Sequence, residues 1–249
     1  MSGLLGVGGG IVVVPVLYFL SGLLDLDPGV RMHVAVGTSL ASIVLTSIVA
    51  ARAHRRRGTV DSGVLRSWAP WLFGGAILGA AIGGTVRGEI LSAIFATVAL
   101  GVALHMAFAP ATFRLRQALP TGRTRALLGT VIGAFSAMMG IGGGTLSVPF
   151  FTACNYPVHR AVGTASALGL VIALPATVGF VVTGWGVAAL PQLSVGFINL
   201  LGLVLIAPLS LVSAPLGAAI AHRLPAPALK RVFAAFLFLT SARMFAGLV

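Results

Sequence analysis

The residues with the clearest chemical potential in this chain carry no side chain. GIGGGTLSVP, from Gly140 to Pro149, sits inside a long apolar run, and GVGGGIVVVP, from Gly6 to Pro15, repeats it near the start. Consecutive glycines let the backbone turn and leave nothing between it and a ligand. The proline that follows lacks the N–H a regular helix ladder needs. A helix that starts just after such glycines points unpaired N–H groups and the positive end of its dipole at whatever lies ahead of it, and it holds an anion without a charged side chain. Gly8, Gly9 and Gly10, with Gly142, Gly143 and Gly144, are therefore the candidate backbone cradle. Thr38, Ser39, Thr164 and Ser166 could add hydroxyl donors, or instead bond their own helices. His33 and His159 stand at matching places before those hydroxyls and could relay a proton near neutral pH. Arg160 could draw anions to an entrance, or lie as a snorkelling interfacial charge.

The acidic inventory narrows the cargo. The four carboxylates, Asp25, Asp27, Asp61 and Glu89, all fall between apolar runs. Cation carriers and carboxylate proton relays place Asp or Glu inside the helix bundle, so a small anion is the expected substrate. Motifs of catalysis fail: GVGGGI has Ile11 where a dinucleotide fingerprint needs its third glycine, and neither glycine string continues into a phosphate-loop GK[ST]. Nor is a Ser–His–carboxylate triad legible. The single cysteine, Cys154, excludes an internal disulfide and a cysteine metal cluster, and it reads as packing. No enzyme activity, cofactor or metal site is expected.

The elements that must position these groups follow from composition. The 249 residues are 58% hydrophobic and 8% charged, with a mean hydropathy of +1.07. A soluble domain carries about 25% charge, so this is an integral membrane protein, and its long apolar runs predict helices rather than a barrel. Those runs fall at about 3–20, 32–51, 67–86, 90–109, 126–153, 161–183, 193–221 and 228–249. The net charge of +12 lies in short loops and serves orientation in the bilayer, not nucleic-acid binding.

The chain is also a duplication. HVAVGTSLA (33–41) matches HRAVGTASA (159–167), LGAAIG (78–83) matches LGAAIA (216–221), and His105-Met106 falls where Arg243-Met244 stands in the second half. The expected organisation is a first transmembrane repeat over 1–110, a basic cytoplasmic linker over 111–125 and a second repeat over 126–249. Gly75, Gly79 and Gly83 form a small-residue ridge, echoed by Ser213, Gly217 and Ala221, that packs helices closely either between repeats or between subunits of a homo-oligomer.

Length constrains the topology. Residues 126–153 would form one helix of about 42 Å, too long for a hydrocarbon core of about 30 Å. Two half-helices meeting at the glycines fit better. With one such hairpin and three crossings per repeat, the repeats are inverted. The inner loops then hold thirteen basic residues and the outer loops two; eight plain crossings with parallel repeats give nine against six. The positive-inside bias favours inversion. Only five residues precede Gly6, whereas about fourteen apolar residues precede Gly140, so the first repeat as given is expected to lack its opening arm.

The doubled set of glycine strings and AVGT segments, with the loop RRRGTVD from Arg55 to Asp61, resembles the sulfite exporter TauE/SafE family over nearly the whole chain. The resemblance implies a cytoplasmic-membrane carrier of small sulfur anions: sulfite, thiosulfate, sulfoacetate or other organosulfonates. The expected fold is all-α and polytopic, and the expected mechanism is alternating access around a central site. The rivals are a channel-like anion facilitator and a membrane subunit of a sulfur-metabolism enzyme complex.

Overall fold

The computed structural model describes residues 9–108, 115–210 and 226–247. Gly8, Ser213, Gly217 and Ala221 lie outside the described residues. The order of elements is α1 (Gly10–Leu23), α2 (Pro28–Arg56), α3 (Ser62–Thr85), α4 (Gly88–Phe108), α5 (Gly122–Met138), α6 (Gly143–Ala153), α7 (Val158–Thr183), a two-stranded ribbon of β1 (Ser194–Val195) and β2 (Ile198–Asn199), α8 (Leu200–Ser210) and α9 (Ala226–Ala246). The fold is nearly all-helical.

Local chemistry sets the helix ends. The Asp27 carboxylate accepts from the Gly29 N–H at 2.7 Å with Pro28 in the first turn, and the last turn of α2 collects His54, Arg55 and Arg56 at its negative end. Asp61 caps α3 by accepting from the Gly63 and Val64 N–H groups. The run expected as one span over 193–221 begins differently. Leu193 and Gly196 take positive φ, the ribbon β1–β2 forms across them, and helix starts only at Leu200.

Helices α2, α4 and α7 are each long and apolar enough to cross a bilayer. α1 and α6, with 14 and 11 residues, are not: at about 1.5 Å per residue they reach only part of the way. The long fifth run breaks as expected, with no helix between Met139 and Gly142. α5 runs alongside α3 in the same direction, from Gly129 beside Trp71 to Met138 beside Gly83, and α6 returns so that Phe150 and Phe151 pack on Trp68 near where α5 began. The pair is a hairpin whose tip is the glycine turn.

α2 and α7 run antiparallel. His33 and Gly37, near the start of α2, meet Phe197 beside the end of α7; Ser47 meets Gly169; and Thr59, just past α2, meets Gly163 near the start of α7. Around this pair the polarity is inverted relative to a water-soluble protein. Val204, Leu205 and Leu209 are 67%, 71% and 72% exposed, whereas Thr38, Ser39, Ser136, Thr164 and Ser241 are buried. An outer surface so apolar suits lipid. α1 and α9 leave between them an apolar groove of about 660 Å³ that also reaches Arg31 and Arg243.

The glycine ridge of α3 works within the chain. A Cβ on Gly75 would lie 2.1 Å from the Thr130 carbonyl oxygen and one on Gly79 2.2 Å from that of Ala134, while Gly133 answers from α5 against Leu72. Such backbone contact suits an apolar medium in which helices gain little from hydrophobic association. Gly74, one residue away, has nothing within 4 Å of its would-be Cβ. Gly75→Ala is therefore expected to lower the melting temperature in detergent, at a cost of about 1–3 kcal/mol or more for overpacking, although alanine is the better helix former. Gly74→Ala is expected to hold or raise it. Equal behaviour of the two would show that α3 and α5 are not packed this closely.

Candidate functional site

The glycine strings bring two helix beginnings together in the buried middle of the molecule. Gly9, in the left-handed region at φ 71°, precedes α1, and a Cβ on Gly10 would sit 2.4 Å from the Gly140 carbonyl oxygen and 2.8 Å from the Ile141 Cα. Gly140, at φ 63°, makes the turn that leads into α6. Gly143 lies against Gly169 and Ala165 of α7. Among the described residues no side chain caps either α1 or α6. Gly9, Gly10 and Gly142 to Gly144 thus form one junction, in which the first turns of two short helices offer their N–H groups.

The hydroxyls divide by task. Ser39 Oγ donates to the Gly140 carbonyl at 2.7 Å and ties α2 to the glycine turn. Ser166 Oγ donates to Val162 of its own helix. Thr38 and Thr164 reach across the molecule: Thr38 Oγ1 accepts from the Asn199 N–H, and Thr164 Oγ1 from the Asp61 N–H, each at 3.0 Å. Asn199 and Asp61 are the residues that cap α8 and α3, through Gly202 in one case and through Gly63 and Val64 in the other. The glycines before the two threonines match as well, since Cβ atoms on Gly37 and Gly163 would lie 2.5 Å and 2.6 Å from the carbonyl oxygens of Phe197 and Thr59. Each AVGT segment is thus a seat for the entry of the other half's third helix. Asn199 also bonds the Gln192 carbonyl through its Nδ2.

Ser136 and Ser147 escaped the sequence reading. Both are fully buried, and neither Oγ has a hydrogen-bond partner. They lie on the two arms of the hairpin, within about one helical turn of the break. A buried hydroxyl without a partner is uncommon and calls for an explanation; here it adds two free donors beside two uncapped helix starts. Ser147 was visible in GIGGGTLSVP, but the first string has Val13 in its place, so the repeat gave no cue.

The paired histidines differ. His33 is buried, stacked on Phe197 at 4.7 Å, with Nε2 2.9 Å from the Val86 carbonyl oxygen, whereas His159 is exposed. Arg160 approaches Asp61, with Nη1 3.8 Å from Oδ2. The Tyr156 hydroxyl donates to the same carboxylate at 2.7 Å. That bond, helped by the N–H groups of α3 and by Arg160, holds the Asp61 carboxyl below its usual range; burial and the nearby carboxylate push Tyr156 up to about 12. Tyr156 therefore stays a proton donor at neutral pH. No group of three or more His, Cys, Asp or Glu suited to a metal occurs among the described residues.

Comparison with known proteins agrees on one family. The model of the family described as Sulfite exporter TauE/SafE matches residues 1–244. A probable membrane transporter protein of Haemophilus influenzae is 32% identical over 245 residues, covering 98% of this chain and 93% of its own length. One of Methanocaldococcus jannaschii is 24% identical over 168 residues, covering 65% and 60%. Another, from Bacillus subtilis, is 44% identical over 61 residues, covering 24% and 22%. No solved structure matches.

Asp61 generates a prediction about acid. Its carboxyl binds a proton more weakly in the folded chain than in the unfolded one, so the stability it contributes is complete above the unfolded value of about 4 and is lost as pH falls through the lower folded value. Between about pH 5 and pH 3 the wild type is expected to lose more melting temperature than Asp61→Asn. Parallel losses would mean that Asp61 makes no charge-dependent contact.

Proposed function

The chain belongs to the sulfite exporter TauE/SafE family, and from that premise we propose that it is a secondary carrier of a small sulfur-containing anion across the cytoplasmic membrane. Sulfite, thiosulfate, sulfoacetate and other organosulfonates are the candidate cargoes. The observation that carries this reading is the buried junction: the starts of two short helices, with the unpartnered hydroxyls of Ser136 and Ser147 within about one turn of the break in the hairpin. Those groups are donors to an oxyanion or sulfonate, and none carries a negative charge. Backbone that breaks its helix at bilayer depth is tolerated where it is enclosed by protein or lines a cavity.

Alternating access follows from the way the halves hold each other. The antiparallel course of α2 and α7, which carry the matching AVGT segments, supports inverted repeats. The Thr38–Asn199 contact and the Thr164–Asp61 contact lie toward opposite ends of that helix pair. Releasing one while keeping the other would let the halves rock about the junction and open it to one side at a time. Anions enter from solution along loops that are rich in arginine and poor in carboxylates. The cycle needs no cofactor.

The test is flux of sulfite, thiosulfate and sulfoacetate in proteoliposomes, with counterflow, comparing wild type, Gly143→Ala and Ser147→Ala. Saturable counterflow by wild type is expected. A Cβ on Gly143 would lie 2.9 Å from the Gly169 nitrogen, so that variant is expected to lose both fold and flux. Ser147→Ala removes a hydroxyl that has no partner, so it is expected to keep or raise the melting temperature while weakening apparent anion affinity about tenfold or more. Unchanged affinity in Ser147→Ala would move the site away from the junction. Unsaturable flux without counterflow would favour a channel-like facilitator, and no flux of any of the three would overturn the carrier reading.

A further inference from the structure

The two cross-molecule contacts share a plan but differ in charge. At one, the cap is Asn199, a neutral amide whose Oδ1 and Nδ2 stay with Gly202, Gln192 and Ser194 on its own side. At the other, the cap is Asp61, and its carboxylate binds groups from the other half, the Tyr156 hydroxyl at 2.7 Å and the Arg160 guanidinium at 3.8 Å. Capping does not require the charge, since asparagine caps a helix about as well as aspartate. Among the described residues Asp27 caps α2 and Glu89 pairs with its neighbour Arg87 at the surface, each within its own half.

Tyr156 and Arg160 are a donor pair of the kind that recognises an oxyanion or a sulfonate. Their present occupant is a carboxylate on the same chain. The Arg160 contact is loose and its side chain 62% exposed, so the guanidinium is open to solvent. The surrounding charge favours anions: Arg57 just past the end of α2, and Arg116 beside Cys154.

We propose that Asp61 is a built-in competitor for the transported anion. In the empty carrier its carboxylate holds Tyr156 and Arg160 and keeps this face shut; an incoming oxyanion or sulfonate takes both donors and opens it. The Asn199 contact, which carries no charge, does not answer to anions. Opening is then driven by cargo at one face only. This proposal rests on the carrier reading above.

Cys154 is a native reporter. It is the one cysteine of the sequence, is 1% exposed, and stands two residues before Tyr156 at the end of α6. The experiment is alkylation of the purified full chain with N-ethylmaleimide at fixed pH and ionic strength, in chloride, sulfate or sulfoacetate. Wild type is expected to react slowly in chloride and faster in sulfate or sulfoacetate, by roughly tenfold to a hundredfold, the factor a charge-assisted hydrogen bond is worth. Asp61→Asn keeps the cap and is expected to react fast in chloride with no further response. Tyr156→Phe, which leaves the cap untouched, gives the same outcome should Asp61→Asn not fold. Arg160→Gln is expected to lose most of the anion response. Wild-type rates equal in all three salts, or a folded Asp61→Asn or Tyr156→Phe as slow as wild type in chloride, would overturn the proposal. Proteoliposome flux with no such response at Cys154 would sink this proposal alone, while absence of flux would sink the reading beneath it.

Discussion

A helix that begins in the middle of an apolar slab leaves its first N–H groups without water and without a preceding turn. This chain has two such beginnings, α1 and α6, and no side chain among the described residues caps either. The rest of the structure encloses them. α2 and α7 pass on either side, Ser39 fixes the glycine turn to α2, and Gly143 lets α6 lie directly on α7. Glycine is required at this junction by space and by φ together: Gly10 abuts the Gly140 carbonyl, and Gly9 and Gly140 lie in the left-handed region. The feature that costs stability is the one that can hold a charge.

Holding the two halves together falls to backbone-close contacts and exchanged caps. In lipid the hydrophobic effect gives little reason for helices to associate, so α3 and α5 mesh through Gly75, Gly79 and Gly133, and each AVGT segment receives the turn entering the other half's third helix. The same arrangement that assembles the fold couples its two faces. The Thr38 and Thr164 contacts stand toward opposite ends of the packed α2–α7 pair.

Charge is sorted with equal economy. Exposed surfaces are rich in leucine, valine and phenylalanine, several hydroxyls are buried, and arginine gathers at helix ends and in the turns between them. With four carboxylates in the whole sequence, the one that joins the two halves stands out: Asp61 sits where helix cap, tyrosine donor and arginine meet. The opposite contact does the same mechanical work with an amide. The two contacts thus match in structure and differ in charge.

The sequence by itself determined the membrane class, the helical fold and the broken fifth run, and its repeated strings are what lead to the expected duplication. These depend on local quantities: hydropathy over about twenty residues, a repeated string, and a 28-residue stretch too long for one crossing. It also identified the glycine strings and both AVGT segments as the residues to watch. Only the tertiary structure decided what those residues touch. Thr38 finds Asn199 across 161 positions and Tyr156 finds Asp61 across 95, and no local pattern encodes such pairs. The same holds for the unpartnered state of Ser136 and Ser147, which reflects what the surrounding helices fail to offer. The ribbon before α8 was hidden for a different reason. Leu193 and Phe197 are as apolar as a span, yet Leu193 and Gly196 take positive φ; Gly196 abuts Val181 and the Phe197 N–H donates to the Phe180 carbonyl of α7, contacts that no local pattern encodes.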